Sequence, residues 1–531
     1  MSLGCSGVSN NVTGVRTSSL MMVLSLTGEV VAVRPLPGGN DDDSAGIQPL
    51  QTNAMKMRDP HNVLMGTNLV TDLGRGPLMK WDWPNNEFAV LGDGSFGLGT
   101  YTSHDLQYVS SHTYGVHLAK YFNGSADDDM DPHVGGGEDR VFRPSTTLNL
   151  IFAEDLTTGD LQRTIGPFDH QRTSDMNHFQ ILENGYVIVN GRSTGSWRKY
   201  DMNTRTTVWT CGGAFGNFTV HDLDGTVLEP GIVSKAKDEV PAFAWYGQHN
   251  LEYFGENEYF MFNNAYNQVA GAFVEQTSRP MKVVLDEERL IANITWAYET
   301  GIHSYIYGDV DRLPTGHLLA CYWPAELSIN MPEQFDEKVV EIVPDYSGAG
   351  NDELAWELLV VGHNCSFGHA GREDGTGCTR ASEYDTVPYG WSLYSVEKFY
   401  TAPLAVDARL VAQGDEGAAY ELCADVVTNA SAVELASSKN VSATAPMRLQ
   451  FTAYDSFKSN LPSTGKWWLL KNGDTVATDD FTFKPHWRPK YVDFNLTYTW
   501  GDIQDGGPET SWSLAVRDAW GFENRTISFT C

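Results

Sequence analysis

Short runs in which apolar and polar residues alternate, broken by turn residues, recur along most of this chain. Four stretches share one plan of strand, tight turn and second strand: "SHDLQYVSSHTYGVHLAKY", "MNHFQILENGYVIVNGRSTGSWRKYD", "GQHNLEYFGENEYFMFNNAYN" and "YIYGDVDRLPTGHLLACYWP". Each predicts a β-hairpin. Downstream of most of them comes a further strand ending near a Trp, as in "RKYDMNTRTTVWTCGG", "VVLDEERLIANITWAYE" and "EIVPDYSGAGNDELAWEL". The unit is therefore about four short strands, the size of one blade of a β-propeller. "SLMMVLSLTGEVVAVRPL" and "DPHNVLMGTNLVTDLGRGPLMKWDW" fit the same plan near the start, and "GWSLYSVEKFY" would complete the first blade from far downstream. The count predicts an all-β, six-bladed β-propeller over residues 1–402.

After residue 402 the pattern changes. "MRLQFTAYD", "KWWLLKNG", "YVDFNLTYTW" and "SWSLAVRDAWG" read as longer strands of a separate Ig-like β-sandwich over residues 403–531. Trp467 and Trp468 in it are expected mainly as core residues. The acidic, Gly-rich insertions "GGNDDDSAG" and "SADDDMDPHVGGGEDR" read as solvated surface loops. Calcium at Asp41, Asp42 and Asp43, or at Asp127, Asp128, Asp129 and Asp131, is the less favoured alternative because neither has an ordered ligand spacing. No Cys/His spacing suggests zinc, so no metal or organic cofactor is expected.

Composition narrows the setting. The 531 residues include 51 Gly and 12% aromatics, as suits many strands and turns, and carry a formal charge of -32. That field disfavours nucleic acid and anionic membranes as partners. Asn-X-Ser/Thr acceptors stand at Asn11, Asn123, Asn217, Asn293, Asn364, Asn429, Asn440, Asn495 and Asn524, which points to N-glycosylation in the secretory pathway and an extracellular or cell-surface location. Seven Cys fit that setting, with Cys365–Cys378 and Cys423–Cys531 as candidate disulfides. No run is apolar enough to span a membrane, and the first thirty residues lack the pattern of a leader, so the expectation is a mature or truncated chain.

In a propeller the innermost strands line a central channel. His104 in "SHDLQ", His178 in "MNHFQ" and His249 in "GQHNL" hold nearly the same place in three successive units and are expected to converge, with Arg192 from "NGRSTG" joining them. Three imidazoles and a guanidinium suit an anion. Metal binding by the imidazoles competes with that reading, although an arginine among metal ligands would repel the cation. Hydrogen-bonded channel histidines with no chemical role are the plainer alternative.

The segments that carry these residues, together with "GDVDRLPTGHLLACYW", resemble the eukaryotic branch of the arylsulfotransferase (aryl-sulfate sulfotransferase) family over residues 18 to 402. The resemblance implies a six-bladed propeller that moves a sulfuryl group from a phenolic sulfate ester to a phenol through a sulfated histidine, without a nucleotide donor. It implies His249 as nucleophile, His178 as the histidine of an "xHxN" motif, Arg192 as the arginine of an "SRH" motif, and His104 as the histidine of an earlier blade. Gln180 stands where the bacterial pattern has Asn, and Ser193 where it has His. The rival expectation is a non-catalytic extracellular propeller that assembles with itself or with matrix partners. Phe243, Trp245 and Tyr246 are expected either to stack on an aryl group or to pack between blades.

Overall fold

The computed structural model describes residues 2–6, 19–35, 51–68, 78–91, 105–110, 139–145, 150–155, 161–165, 176–182, 184–213, 215–228, 245–267, 272–273, 277–304, 307–322, 337–360, 392–413, 419–425, 442–499, 501–502 and 511–530. The chain divides between Lys398 and Phe399 into two compact units. All named elements of regular structure among the described residues are strands, giving a propeller-like all-β fold.

Among the described residues the first unit contains five four-stranded sheets, one six-stranded sheet and the two-stranded pair Tyr266–Asn267 and Ala272–Phe273. Sheet 1 joins Ser392–Glu397 to Ser2–Ser6, Ser19–Leu24 and Val30–Pro35, so its strands come from both ends of the unit. Sheet 2 runs Gln51–Asp59, Asn62–Asn68, Leu78–Asp82 and Glu87–Leu91, and sheet 3 runs Gln107–Ser110, Asp139–Ser145, Leu150–Asp155 and Leu161–Ile165. Sheet 4 is the meander Met176–Ile181, Tyr186–Gly191, Ser196–Asp201 and Thr206–Gly212. Sheet 5 orders His249–Tyr253, Glu258–Asn263, Arg279–Asp286 and Ile291–Ala297, then adds Thr219–His221 in parallel and Val227–Leu228 at its outer edge. Sheet 6 is Asp309–Arg312, Leu318–Tyr322, Glu337–Val343 and Glu353–Val360.

Sheets 4 and 5 pack face to face because their alternating residues present large apolar side chains. Trp197, Trp209, Trp245, Leu251, Tyr259 and Met261 share one buried cluster. Trp245 lies tilted against Trp197 with ring centres 4.5 Å apart and donates its indole N–H to Gly195 O at 2.8 Å, so it is a core residue rather than an aryl platform. Tyr246 is also buried, and Phe243 lies outside the described residues. Sheets 5 and 6 repeat the arrangement with Phe254, Phe260, Phe262, Val310 and Leu318.

In the second unit, eight antiparallel strands are hydrogen-bonded in one continuous order. Their inward residues, among them Leu410, Leu449, Phe451, Trp467 and Trp512, form its core. Trp467 is buried there, while half-buried Trp468 faces the other way with the Arg517 guanidinium 4.7 Å from its ring centre. Cys423 lies on the strand Ala419–Asp425; Cys365, Cys378 and Cys531 fall outside the described residues, as do the sequons Asn11, Asn123, Asn364, Asn429 and Asn440. Both acidic insertions offered for calcium fall outside them too. Among the described residues no helix is long and apolar enough to cross a membrane, and no cluster is arranged to hold a metal ion.

Beneath the second unit's core, Ser456 Oγ donates to Asp518 at 2.9 Å and its N–H donates to Asp455 at 2.7 Å. Burial of Asp455 pushes its carboxyl from 3.8 up to about 7. Because the folded form holds that proton more tightly than the unfolded chain, Asp455 stabilises most below about pH 4, and its contribution falls as pH rises through 7. In Asp455→Asn the fall in the urea midpoint of this unit between pH 5 and pH 8 is expected to shrink. An unchanged slope in the variant would show that Asp455 is not its source.

Candidate functional site

Gln51–Asp59, Gln107–Ser110, Met176–Ile181, His249–Tyr253, Asp309–Arg312 and Ser392–Glu397 each stand at a sheet edge, so half of the backbone N–H groups of each face away from its own neighbour. Side chains of the preceding sheet take these donors. Asp105 Oδ2 accepts from Phe179 N at 3.2 Å. Gln107 grips Ile181 with both amide atoms, accepting from its N–H at 2.7 Å and donating to its carbonyl at 3.3 Å. Gln180 grips Tyr253 in the same way, at 2.7 and 3.0 Å. Asp309 Oδ2 accepts from Val396 N at 3.2 Å, and Glu397 Oε2 from Met57 N at 3.4 Å. Asn250 Nδ2 donates to Asp309 Oδ1. Gln180 therefore has a structural role: its amide ties sheet 4 to sheet 5 instead of facing a ligand.

These clamps also fix which residues correspond from sheet to sheet. Gln107, Gln180 and Glu252 share one position, and Asp105, His178, Asn250 and Asp309 share the position two residues earlier. His178 is thus matched with Asn250 and not with His249. His178 and His249 therefore hold nearly the same place, as expected, but one residue apart. The cause is a pair of backbone irregularities, with register shifts between Met176 and His178 and between His249 and Glu252. His104 lies outside the described residues.

His178 is buried and pairs through Nδ1 with Asp105 Oδ2 at 2.9 Å. An ionised carboxylate only accepts, so Nδ1 carries the proton. Burial would raise the Asp105 carboxyl, but His178, the Lys56 ammonium and the Phe179 N–H together hold it below its ordinary value. His178 Nε2 lies 4.0 Å from Glu252 Oε1 and has no hydrogen-bond partner among the described residues. Glu252 meets Lys56 Nζ at 3.2 Å, and Lys56 also lies 3.5 Å from Glu397. Burial alone would lower the Lys56 amine; Glu252, Asp105, Glu397 and Asp311 outweigh it and hold it well above its ordinary value. This level of the site is a buried, carboxylate-rich network around Lys56.

His249 opens the strand His249–Tyr253 and is 2% exposed. Asn264 donates both hydrogens of its amide to backbone, to Ser304 O and Tyr307 O at 2.8 Å each. Its Oδ1 therefore faces His249 Nδ1, at 2.7 Å, and the assigned network puts the imidazole proton on Nδ1. Nε2 keeps its lone pair and accepts the Tyr307 N–H at a long 3.3 Å. Tyr307 sits at φ 61°, an unusual setting for a bulky residue, followed by Gly308 at φ 111°. A Cβ at Gly308 would meet the Phe262 ring at 2.4 Å, so only glycine lets the chain pass there.

The residues around His249 are held as firmly. Gly247 has φ 62°, and a Cβ there would meet Tyr266 O at 2.8 Å. Gln248 donates to Asn190 Oδ1 at 2.9 Å and to Gly191 O at 3.1 Å, while its own carbonyl accepts from Asn177 at 2.9 Å. Half-buried Arg192 follows Gly191 directly, so Arg192 and Ser193 lie at the sheet end to which Gln248 and hence His249 are fastened. The structure brings His249 and Arg192 to one end of neighbouring sheets and places His178 at the carboxylate level.

Sequence reasoning missed Lys56, Asp105, Glu252 and Glu397, and the supports Asn264 and Tyr307. The recurrence of Asp or His followed two residues later by Gln, in "HDLQ" and "NHFQ", was the available signal for the clamps. Asn264 and Tyr307 offer none, since they reach His249 from loops 15 and 58 residues away.

Comparison with family models and with curated proteins finds no match. Among solved structures the chain is similar to the nidogen/laminin complex (8% identity, 74% of this chain and 99% of that one, TM-score 0.33). It is also similar to the β-propeller domain of Cps50 (Swd1) from Myceliophteria thermophila (9% identity, 67% and 87%, TM-score 0.32). A third is a Bacteroides caccae protein of unknown function (11% identity, 68% and 94%, TM-score 0.32).

Replacing Lys56 by Met leaves Glu252 and Glu397 buried without their cation. Loss of one partner from such a network typically destabilises by about 3 to 5 kcal/mol. Thermal and urea unfolding of Lys56→Met are expected to show a loss of that order at pH 7, partly recovered at acid pH as the carboxylates protonate. A near-neutral substitution would mean that the network does not hold the sheets together.

Proposed function

We propose that the first unit is a six-bladed β-propeller and the second an Ig-like sandwich, and that the chain is a secreted, glycosylated enzyme transferring a sulfuryl group from a phenolic sulfate ester to a phenol. The observation that carries this reading is the hydrogen-bonding of His249. Asn264 holds the Nδ1 proton, which leaves Nε2 as the basic, nucleophilic nitrogen. Exposed Asn217 and Asn495 are compatible with glycans; Asn524 is half-buried, and Asn293 is half-buried between two neighbouring strands.

In this reading Nε2 attacks sulfur as the sulfur–oxygen bond to the aryl group breaks. The aryl oxygen leaves as phenolate and takes up a proton, and the imidazole becomes a sulfohistidine whose positive charge is stabilised by Asn264 Oδ1. An acceptor phenol then loses its proton, attacks the same sulfur and frees His249. The long Tyr307 N–H contact has to open before Nε2 reacts. Arg192, with His104, would stabilise charge on the sulfuryl oxygens; such preorganised donors are typically worth about 2.7 to 4 kcal/mol each. His178, its Nδ1 proton fixed by Asp105, offers Nε2 as a proton acceptor. The reaction as written uses no metal or organic cofactor.

The Nε2 cap from Tyr307 and the carboxylate-rich level below favour the second reading, a non-catalytic extracellular propeller with self-assembly or matrix partners. Mass spectrometry after brief exposure to a phenyl sulfate separates the two. The first predicts a sulfuryl adduct on the peptide holding His249, discharged by added phenol, absent in His249→Ala and at least tenfold slower to form in Asn264→Leu. A folded protein that forms no adduct over a panel of donors would leave the structural reading standing.

A further inference from the structure

The strand His249–Tyr253 has a second end, and a cavity of about 620 Å³ opens there between sheets 4 and 5. That volume lies within the ordinary range for small-molecule sites. Tyr259 lines it and is 1% exposed, yet its hydroxyl has no hydrogen-bond partner among the described residues. Its ring is enclosed while the hydroxyl oxygen keeps contact with the cavity, where the polar group of a ligand can take the place of water. Burial, with Glu287 and Tyr253 nearby, holds its pKa well above the ordinary value, so it stays a neutral donor and acceptor.

The rest of the lining selects the charge. Lys199 is held by both oxygens of Glu287, at 3.0 and 2.8 Å, and lies 4.7 Å from the Tyr186 ring centre, so that pair cancels. Asp286 and Glu288 remain. Asp286 Oδ1 accepts the Arg289 N–H at 2.9 Å and its Oδ2 lies 3.7 Å from the largely exposed Arg289 guanidinium, while Glu288 is exposed with no ion pair among the described residues. Tyr253, tilted against Tyr259 with ring centres 5.0 Å apart, and Leu285 supply an apolar wall. The chain's charge of -32 enriches cations around it.

We propose that this cavity binds a small primary amine with a flat apolar body, its ammonium facing Tyr259 Oη, Asp286 and Glu288 and its body lying against Tyr253 and Leu285. An ammonium brings three donors to a site that offers acceptors, and an aromatic wall attracts a cation. The site is independent of the chemistry proposed for His249.

Benzylamine is the probe, titrated into the full chain at low salt by calorimetry, with benzyl alcohol as its uncharged counterpart. The expected result is saturable one-site binding, about tenfold weaker for benzyl alcohol and about tenfold weaker in Tyr259→Phe, which removes one oxygen and keeps the ring. Exposed Glu288→Gln is expected to weaken binding about threefold without disturbing the fold. Absence of saturable binding, equal binding of benzyl alcohol, or benzylamine affinity unchanged in both variants would each overturn the proposal.

Discussion

The constraint on which the first unit depends is the unpaired edge strand of its sheets. A β-strand at a sheet edge carries donors and acceptors that a buried environment cannot leave empty. Here they are met by side chains two residues apart on the neighbouring edge strand: Asp105 and Gln107 reach Phe179 and Ile181, Gln180 reaches Tyr253, Asp309 reaches Val396, and Glu397 reaches Met57. Because strand side chains alternate, residues two apart point the same way, and one strand can serve its neighbour at successive rungs. Apolar packing between sheets, as between Trp197 and Trp245, gives cohesion without direction. The clamps add the register that packing lacks.

That constraint explains the chemistry at the centre. Accepting a backbone N–H calls for an oxygen, so the clamp positions fill with Asp, Glu and Gln. Carboxylates accumulate with burial, and Lys56 offsets them. His178 belongs to this network through Asp105 before it belongs to any reaction.

Much of the strand pattern was legible in the sequence because alternation and turn residues are local signals. The meander of residues 176–212 follows the quoted segment strand by strand, and the strand within "GWSLYSVEKFY" does pair with the first strands of the chain. Trp467 sits in the core, as its position in an alternating strand suggested. His249 at the start of its strand was legible for the same reason. The level of His178 was not, because counting along a strand fails where a register shift interrupts it, and both relevant strands carry one at their opening. Nor were Asn264 and Tyr307, whose contacts with His249 are made by chain folding and not by spacing.

In the reading proposed for His249, separation along one strand would reconcile a carboxylate-rich level with an anion-handling end. His249 and Glu252 pair with Phe262 and Phe260, two residues apart on the next strand, which at strand rise is roughly 7 Å. At that distance and an effective dielectric near 20, one carboxylate repels a unit anion by about 2.4 kcal/mol, and Lys56 beside Glu252 cancels most of it. The clamps thus confine the carboxylates to the level of edge-strand pairing, and the strand openings beyond that level are where a nucleophile and a cation can serve a negatively charged group.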